Sequence, residues 1–393
     1  MLSLLLAVIY MAFISLGLPD SLLGSAWPVM HLQFGAELSF AGVVSMIIAA
    51  GTIVSSLLSE RMTRRFGAAR VTAVSVAMTA AALFGFSLSA SLWQLCLWAV
   101  PYGLGAGAID AALNNFVALH YSSRHMSWLH CFWGVGASIS PYIMGAALTR
   151  SGSWQLGYQA VGVIQIVLTA LLFLSLPLWK AVDSAEDEKA AAETSLLGLR
   201  GSLRIPGVPL ILAAFCAYCG AETTAGLWAS SYLVGVRGIS PEAAARSSSL
   251  FYLGITIGRF LSGFVADRMG DRWMIRTGIG GMALGVLLIQ TPFSSDLPAL
   301  SGLVIFGLGC APVYPSIIHS TPDNFGRENS QAIIGVQMAS AYVGSTFMPP
   351  LFGLITQQLG LKLYPLYLAL LLAVLLVMIE RLNRLKNREK RSA

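Results

Sequence analysis

The sequence predicts an all-α polytopic membrane protein with twelve transmembrane helices in two pseudo-symmetric six-helix bundles. Of its 393 residues, 56% are hydrophobic and 11% are charged, whereas a soluble domain carries charge on roughly a quarter of its positions. The charges fall in short clusters between apolar runs, and a run of about 20 residues can cross a bilayer as a helix. In addition, the second half of the chain repeats features of the first half at a nearly constant offset.

The apolar runs give the transmembrane helices in order. Lipid offers the backbone no hydrogen-bonding partner, so each run is expected to be helical. The predicted spans are residues 3–29, 39–59, 70–90, 93–118, 127–149, 156–179, 206–234, 242–266, 274–292, 297–320, 330–356 and 361–382.

The distribution of Lys and Arg orients these spans. If the N-terminus is cytoplasmic, 19 of the 24 Lys and Arg residues lie on the cytoplasmic side. The positive-inside rule then places both termini of this multi-pass protein in the cytoplasm, and the short loops and tails indicate the cell inner membrane. The net charge of +6 is therefore an orientation signal and not a nucleic-acid footprint. The cytoplasmic basic residues lie at 61–70, 124, 180–204, 268–276, 327 and 381–391.

An internal repeat divides the chain into two halves. Three groups of residues recur in the same order, displaced by 207, 208 and 202 positions. Repeats of this kind are typical of carriers in which two bundles enclose a solute site between them. The matched groups are Glu60-Arg61-Met62 with Asp267-Arg268-Met269, then Gly136, Pro141 and Gly145 with Gly344, Pro349 and Gly353, and Asp20-x3-Gly24 with Glu222-x3-Gly226.

The longest polar stretch lies between the halves, and its Ala, Glu and Lys content indicates a partly helical linker. The predicted organisation is an N-terminal bundle at residues 1–179, a cytoplasmic linker at 180–205, a C-terminal bundle at 206–383 and a basic cytoplasmic tail at 384–393.

A loop motif connects the repeat to a known family. The pattern G-x3-D-R-x-G-x-R is complete from Gly263 to Arg272, and a degraded copy runs from Ser56 to Arg65. Together with the repeat, it resembles the major facilitator superfamily. An acid beside arginines at a helix end can form ion pairs that stabilise one access state and break in the other; alternatively, these residues only anchor the topology. The predicted cytoplasmic gate comprises Glu60, Arg61, Arg65, Arg259, Asp267, Arg268 and Arg272.

Three carboxylates lie deep in apolar spans: Asp20, Asp110 and Glu222. Each costs about 2.5–3.5 kcal/mol at mid-membrane on insertion scales, so each is expected to face the bundle interior or water. Because desolvation disfavours the charged form, such groups can exchange protons near neutral pH. The prediction is proton coupling, with direct solute binding as the alternative for Glu222. A static pair that only joins helices is the alternative for all three.

The three acids lie in runs with a distinctive pattern: Gly17-Leu-Pro-Asp20-Ser-Leu-Leu23, Gly103-x-Gly105-x-Gly107-x2-Asp110-x3-Asn114 and Tyr218-x-Gly220-x-Glu222-x3-Gly226-x-Trp228. These runs resemble helices of fucose permease-type sugar:proton symporters. That resemblance implies roles in proton coupling and sugar binding for Asp20 and Asp110. One departure is that Asp110 replaces the longer Glu of that family, which alters the reach of the side chain.

Sugar sites combine amide and carboxylate partners for hydroxyl groups with aromatic faces for the ring. Trp and Tyr also gather at membrane interfaces, so anchoring or core packing is the alternative for each aromatic residue. A packing role is equally open for His130. The predicted solute-binding residues are Asn114, Asn115, His130, Tyr218, Trp228 and Gln337.

The predicted function is therefore secondary active transport of a small polar solute, a sugar, by proton-coupled alternating access. The alternatives are a proton-driven exporter of drugs or metabolites and a non-transporting receptor or scaffold. The sequence has no nucleophile motif, phosphate loop or metal-spaced cluster, so enzymatic chemistry is not expected. We expect a monomer in the lipid bilayer whose ligands are the solute and protons, with no nucleic-acid partner, cofactor or metal.

Overall fold

The computed structural model describes residues 2–37, 40–179, 197–239, 241–291 and 295–392, and these residues form helices without any strand. The helices are α1 Leu2–Asp20, α2 Leu22–Gln33, α3 Phe40–Phe66, α4 Ala68–Leu88, α5 Leu92–His120, α6 Ser123–Ser151, α7 Trp154–Trp179, α8 Gly198–Arg204, α9 Val208–Arg237, α10 Pro241–Met269, α11 Asp271–Gln290, α12 Leu297–His319, α13 Thr321–Phe325, α14 Arg327–Leu359 and α15 Tyr364–Ser392, with a 3₁₀ turn at Leu361–Leu363.

The observed helices follow the predicted spans. Within the described residues, eleven helices are long and apolar enough to cross a membrane. The first of these, Leu4–Trp27, covers most of α1 and the first half of α2. The predicted eighth span, 242–266, falls within α10.

The predicted linker and tail are each covered in part. Residues 180–196 of the linker lie outside the described residues, and its last portion contains the short helix α8. The predicted basic tail continues α15 as far as Ser392.

Single glycines join three pairs of α-helices among the described residues, and one of them, Gly326, separates α13 from α14 with φ 90° and ψ 143°. Gly67 separates α3 from α4 with φ 79° and ψ 153°, and Gly270 separates α10 from α11 with φ 75° and ψ 155°. Side chains essentially exclude this backbone conformation, so only glycine makes so short a connection without strain.

Contacts between Cα atoms group the chain into two compact units. Unit 1 contains Met1–Phe116, Leu129–Leu199 and Arg327–Ala339, and unit 2 contains Val117–Trp128, Arg200–Gly326 and Ser340–Ala393. Each unit therefore includes a short segment from the other half of the sequence. The bundle limits at residues 179 and 206 stay a prediction.

The core of unit 1 contains a cluster of buried aromatic side chains. Phe86 packs against Tyr158 with ring centroids 5.6 Å apart, and the Trp154 indole donates to Gln33 Oε1 at 2.7 Å. Tyr102, 5% exposed, is packed into the same cluster. This packing fixes the ring of a tyrosine whose hydroxyl reaches a candidate site residue.

In unit 2, α11 and α12 meet at glycines. A Cβ on Gly309 would overlap the backbone nitrogen of Met282, and a Cβ on Gly285 would lie 2.7 Å from the carbonyl oxygen of Gly302. Small residues at a helix interface let backbones approach closely, which is how helices pack in membranes where no hydrophobic force drives them together.

A contiguous set of apolar side chains on α7 is exposed. Val163, Ile166, Val167 and Leu174 are between 51% and 77% accessible. An exposed apolar surface of this size is not expected to face water, whereas it is expected of a helix that contacts lipid.

The close contact between α3 and α5 provides a stability test. A Cβ on Gly103 would overlap the carbonyl oxygen of Ile48, so Gly103→Ala should destabilise the purified protein by about 1–3 kcal/mol through overpacking. Thermal unfolding in detergent measures this effect. Gly42 on α3 has no atom within 4 Å of its would-be Cβ, so Gly42→Ala is the matched control. Equal unfolding temperatures for the two variants would contradict the packing described.

Candidate functional site

The first helix contains a proline immediately before its acid. Pro19 has no N–H, so the carbonyl of Ser15 one turn earlier loses its intrahelical donor. The side chain of Gln165 on α7 replaces that donor: its Nε2 donates to Ser15 O at 2.5 Å. Its Oε1 accepts from Ser15 Oγ at 2.6 Å. Gln165 is fully buried, and it satisfies a backbone group that lipid would leave unpaired.

Asp20 comes directly after Pro19, and side chains from two other helices of unit 1 bind its carboxylate. Tyr102 Oη on α5 donates to Oδ1 at 2.8 Å, and Trp133 Nε1 on α6 donates to Oδ2 at 2.8 Å. Gly17, one turn earlier, lets α1 contact the backbone of α6 at Trp133. Asp20 as a residue is nevertheless exposed, whereas Asp110 is buried.

The second acid belongs to a buried chain of hydrogen bonds. Asn114 Nδ2 donates to Asp110 Oδ1 at 2.7 Å, and Asn114 Oδ1 lies 3.0 Å from His130 Nε2. Because the amide oxygen can only accept, that nitrogen of His130 carries a proton. All three side chains are at most 5% exposed. The chain connects an acid on α5 to a titratable ring on α6.

Asn115 bonds to a residue from the start of α14 that belongs to the same unit. Ser330 Oγ donates to Asn115 Oδ1 at 2.6 Å, and both residues are buried. One residue further on, Gln331 Nε2 donates to Ser59 Oγ at 3.3 Å. Gln337 on the same helix is fully buried. In this structure Asn115 and Gln337 therefore lie in packed surroundings and not on an open surface.

The third acid lies in unit 2 beside a buried cation. Arg259 Nη2 on α10 is 3.5 Å from Glu222 Oε1 on α9, with side chains 5% and 19% exposed. Tyr218, one turn before Glu222, donates to Cys310 O at 2.8 Å. Arg259 was predicted as a gate residue beside Asp267, but at 1.5 Å per residue it lies about 12 Å from Asp267 along α10. Its observed acidic neighbour is Glu222.

The predicted solute ligand Trp228 contacts a second proline-containing helix. Its Nε1 donates to the carbonyl oxygen of Pro349 at 3.0 Å. The ring lies against Gly353, where an added Cβ would be 3.0 Å from it. This arrangement gives Trp228 a structural role in unit 2.

In the complete loop motif, Asp267 contacts residues 117–128 of unit 2, the segment from the end of α5 to the start of α6 that is termed the α5–α6 connection. Its carboxylate accepts from Ser122 Oγ at 3.1 Å and from the backbone N–H of Arg124 at 3.0 Å. The Arg124 guanidinium lies 3.2 Å away. Asp267 therefore has the arginine partner expected of a gate acid, although that arginine lies outside the motif.

In the degraded loop motif, Glu60 accepts backbone N–H groups. Leu197 and Gly198 each donate to its carboxylate at 2.8 Å, at the start of α8. Arg61, Arg65 and Arg268 are exposed. Arg272 donates to Asn387 Oδ1 at 2.8 Å.

Comparison with known proteins assigns the family. The sequence model described as Major Facilitator Superfamily matches residues 9–248 and again 210–392. The chain belongs to the Major Facilitator Superfamily. The glucose/mannose transporter GlcP of Bacillus subtilis (strain 168) is 25% identical over 315 residues, covering 78% of this chain and 77% of the relative.

Two solved structures share the superfamily fold. The transporter FucP in its outward conformation matches with a TM-score of 0.77 at 16% identity, covering 96% of this chain and 98% of that one. The proton:xylose symporter XylE matches with a TM-score of 0.75 at 13% identity, covering 95% of each chain. The twelve-span fold predicted from the sequence is confirmed. Superfamily members are transporters and not enzymes, so this chain is a transporter.

Within the superfamily fold, the structure brings together only some of the predicted site residues. Asp110, Asn114 and His130 form one network, and Glu222 lies beside Arg259. Several contributing residues were not predicted as site residues, because a single sequence gives no pairing between distant polar positions. These are Gln165, Tyr102, Arg124 and Ser330.

The Glu222–Arg259 pair predicts an asymmetric double-variant result. Glu222→Gln leaves a buried guanidinium without its carboxylate, which should cost about 3–5 kcal/mol of stability. Adding Arg259→Gln should recover most of this loss, because the pair is then replaced by neutral groups. Thermal unfolding in detergent provides the measurement.

The matched control for this cycle is Glu380→Gln, which breaks a pair with Arg276 whose side chains are 38% and 28% exposed. A surface pair contributes about 0–1 kcal/mol. If Glu222→Gln were as mild as this control, the buried pair would not have the role described.

Proposed function

We propose that this transporter moves a small polar solute, a sugar, together with protons by alternating access. The observation that carries the proposal is Asp20, a residue that is exposed and whose carboxylate is held by donors from two further helices. Placing a carboxylate in a membrane helix costs free energy, so such a residue is expected to have a function.

The surroundings of Asp20 support a sugar as the solute. Each carboxylate oxygen keeps a lone pair after accepting one hydrogen bond, so it can receive a solute hydroxyl. The neighbouring Tyr102 and Trp133 are aromatic, and aromatic faces suit the apolar surface of a sugar ring. The relatives named above as glucose/mannose transporter and proton:xylose symporter support the same class of solute.

The acids also support proton coupling. An ionised Asp20 accepts from Tyr102 and Trp133, whereas a protonated Asp20 also carries a donor and accepts more weakly, so protonation weakens the bond to Tyr102 or to Trp133. Protonation thus alters how α1 is joined to α5 and α6, and a ligand shifts conformations by binding them unequally. Asp110, in its network with Asn114 and His130, is the second proton-coupling acid in this proposal, and Glu222 is the third.

The remaining residues complete the proposal. The proposed cytoplasmic gate comprises the loop-motif residues together with Arg259, and the further proposed solute-binding residues are Asn114, Asn115, His130, Tyr218, Trp228 and Gln337. The protein acts as a monomer in the cell inner membrane, with both termini cytoplasmic.

The second candidate function is proton-driven export of an anionic metabolite. Arg259 favours it, because a buried guanidinium is well suited to bind a carboxylate or similar anion. Export requires that inward proton flow drive solute out, which is opposite to symport. Purified protein in proteoliposomes distinguishes the two by the direction in which an imposed proton gradient moves labelled sugar or labelled organic acid.

Neutralising the proposed coupling acids should abolish accumulation. If one proton moves with each solute, a gradient of one pH unit supports about tenfold accumulation. Asp20→Asn and Asp110→Asn should each reduce this to simple equilibration, because the amide cannot gain or lose a proton near neutral pH. Uptake of labelled glucose, fucose and xylose into proteoliposomes measures the effect.

The matched control is Asp296→Asn, an exposed acid before α12, which should accumulate solute like the unaltered protein. Full gradient-driven accumulation by both Asp20→Asn and Asp110→Asn would contradict proton coupling through these residues.

A further inference from the structure

Both ring nitrogens of His319 are engaged at the last turn of α12. Nδ1 lies 2.7 Å from Asp271 Oδ2, on the first residue of α11. Nε2 lies 3.1 Å from the carbonyl oxygen of Tyr121, in the connection between α5 and α6. Ser123 Oγ, from the same connection, donates to the other carboxylate oxygen of Asp271 at 2.6 Å. All of these residues belong to unit 2.

The hydrogen-bonding partners of His319 determine how many protons its ring must carry. A carbonyl oxygen and an ionised carboxylate can only accept, whereas a neutral imidazole has a single N–H. With a neutral ring and an ionised Asp271, one ring lone pair would therefore face an acceptor. One more proton on the ring removes this conflict, because an imidazolium donates from Nδ1 to Asp271 and from Nε2 to Tyr121. The His319–Asp271 pair then holds that proton between them.

The carboxylates near His319 favour the additional proton on its ring. The side chains of His319 and Asp271 are only 17% and 12% exposed, so water screens their interaction weakly. The charged groups that act on the ring are the carboxylates of Asp271 and Asp323, on α11 and α13. The α5–α6 connection presents a carbonyl to the ring. Its own cation, Arg124, is paired with Asp267.

We infer that the His319–Asp271 pair is a proton-binding site distinct from the three intramembrane acids, and that its proton holds the α5–α6 connection against α11 and α12. The predicted topology places this site at the cytoplasmic ends of the helices, where it responds to cytoplasmic pH. The site does not depend on which solute is carried.

A neighbouring set of contacts offers an internal comparison. Asp267 accepts from Ser122 and Arg124 in the same connection, and both donors carry their hydrogens at neutral pH. The indole of Trp128 occupies the space beside Gly263 and donates to Phe260 O at 3.3 Å. These contacts need no additional proton, so they should hold the connection equally at each pH.

Hydrogen–deuterium exchange of residues 117–128 in the full-length protein, reconstituted in nanodiscs, tests the inference. After correction for intrinsic exchange rates, protection of this segment should fall between about pH 6 and about pH 8, by up to about tenfold per pH unit as the pair releases its proton. His319→Ala should show the low protection at both values.

The decisive variant is Asp271→Asn. Its amide can donate to a neutral His319 at Nδ1 while Nε2–H donates to Tyr121, so all partners are satisfied without an extra proton. Protection should then be the same at both pH values. Asp267→Asn, the matched control, should lower protection uniformly and keep the pH dependence. The inference is overturned if the unaltered protein shows no pH dependence, or if Asp271→Asn retains it.

Discussion

The inability of lipid to hydrogen-bond polar groups is the constraint on which the rest of this structure depends. A buried polar group without a partner costs several kcal/mol in hydrocarbon, so each polar side chain in a span needs a hydrogen-bonding partner on its own helix or on another. Gln165 shows the effect most directly, since it supplies the donor that Pro19 removes from Ser15. The same requirement joins Asn114 to Asp110 and His130.

Asp20 differs from these packed groups because it is exposed as a residue. Tyr102 and Trp133 give it two fixed donors, and the aromatic core of unit 1 in turn fixes Tyr102. Protonation of Asp20 weakens its bond to Tyr102 or to Trp133. The contacts of α1 with α5 and α6 therefore depend on whether Asp20 carries a proton. Proton-coupled carriers need a link of this kind between protonation and conformation, and the superfamily fold supplies the two halves that can rearrange.

Much of the fold is predictable from sequence, because the solvent dictates it. Span 297–320 corresponds to α12, Leu297–His319, since an apolar run of membrane length has one low-energy conformation in lipid. Side-chain pairing is less predictable. Glu60 and Asp267 occupy equivalent motif positions, but one accepts backbone N–H groups and the other pairs with Arg124. Such partners lie far apart in sequence and are chosen by tertiary packing, which local pattern does not encode.

We propose that the protein carries sugar and protons across the membrane together. The most direct measurement follows a pH-sensitive dye trapped inside proteoliposomes that start without any pH gradient, while a sugar such as glucose, fucose or xylose is added outside. Sugar entering down its own gradient should acidify the lumen in proportion to the sugar taken up. Sugar entry at the same rate with no change in internal pH would contradict the account.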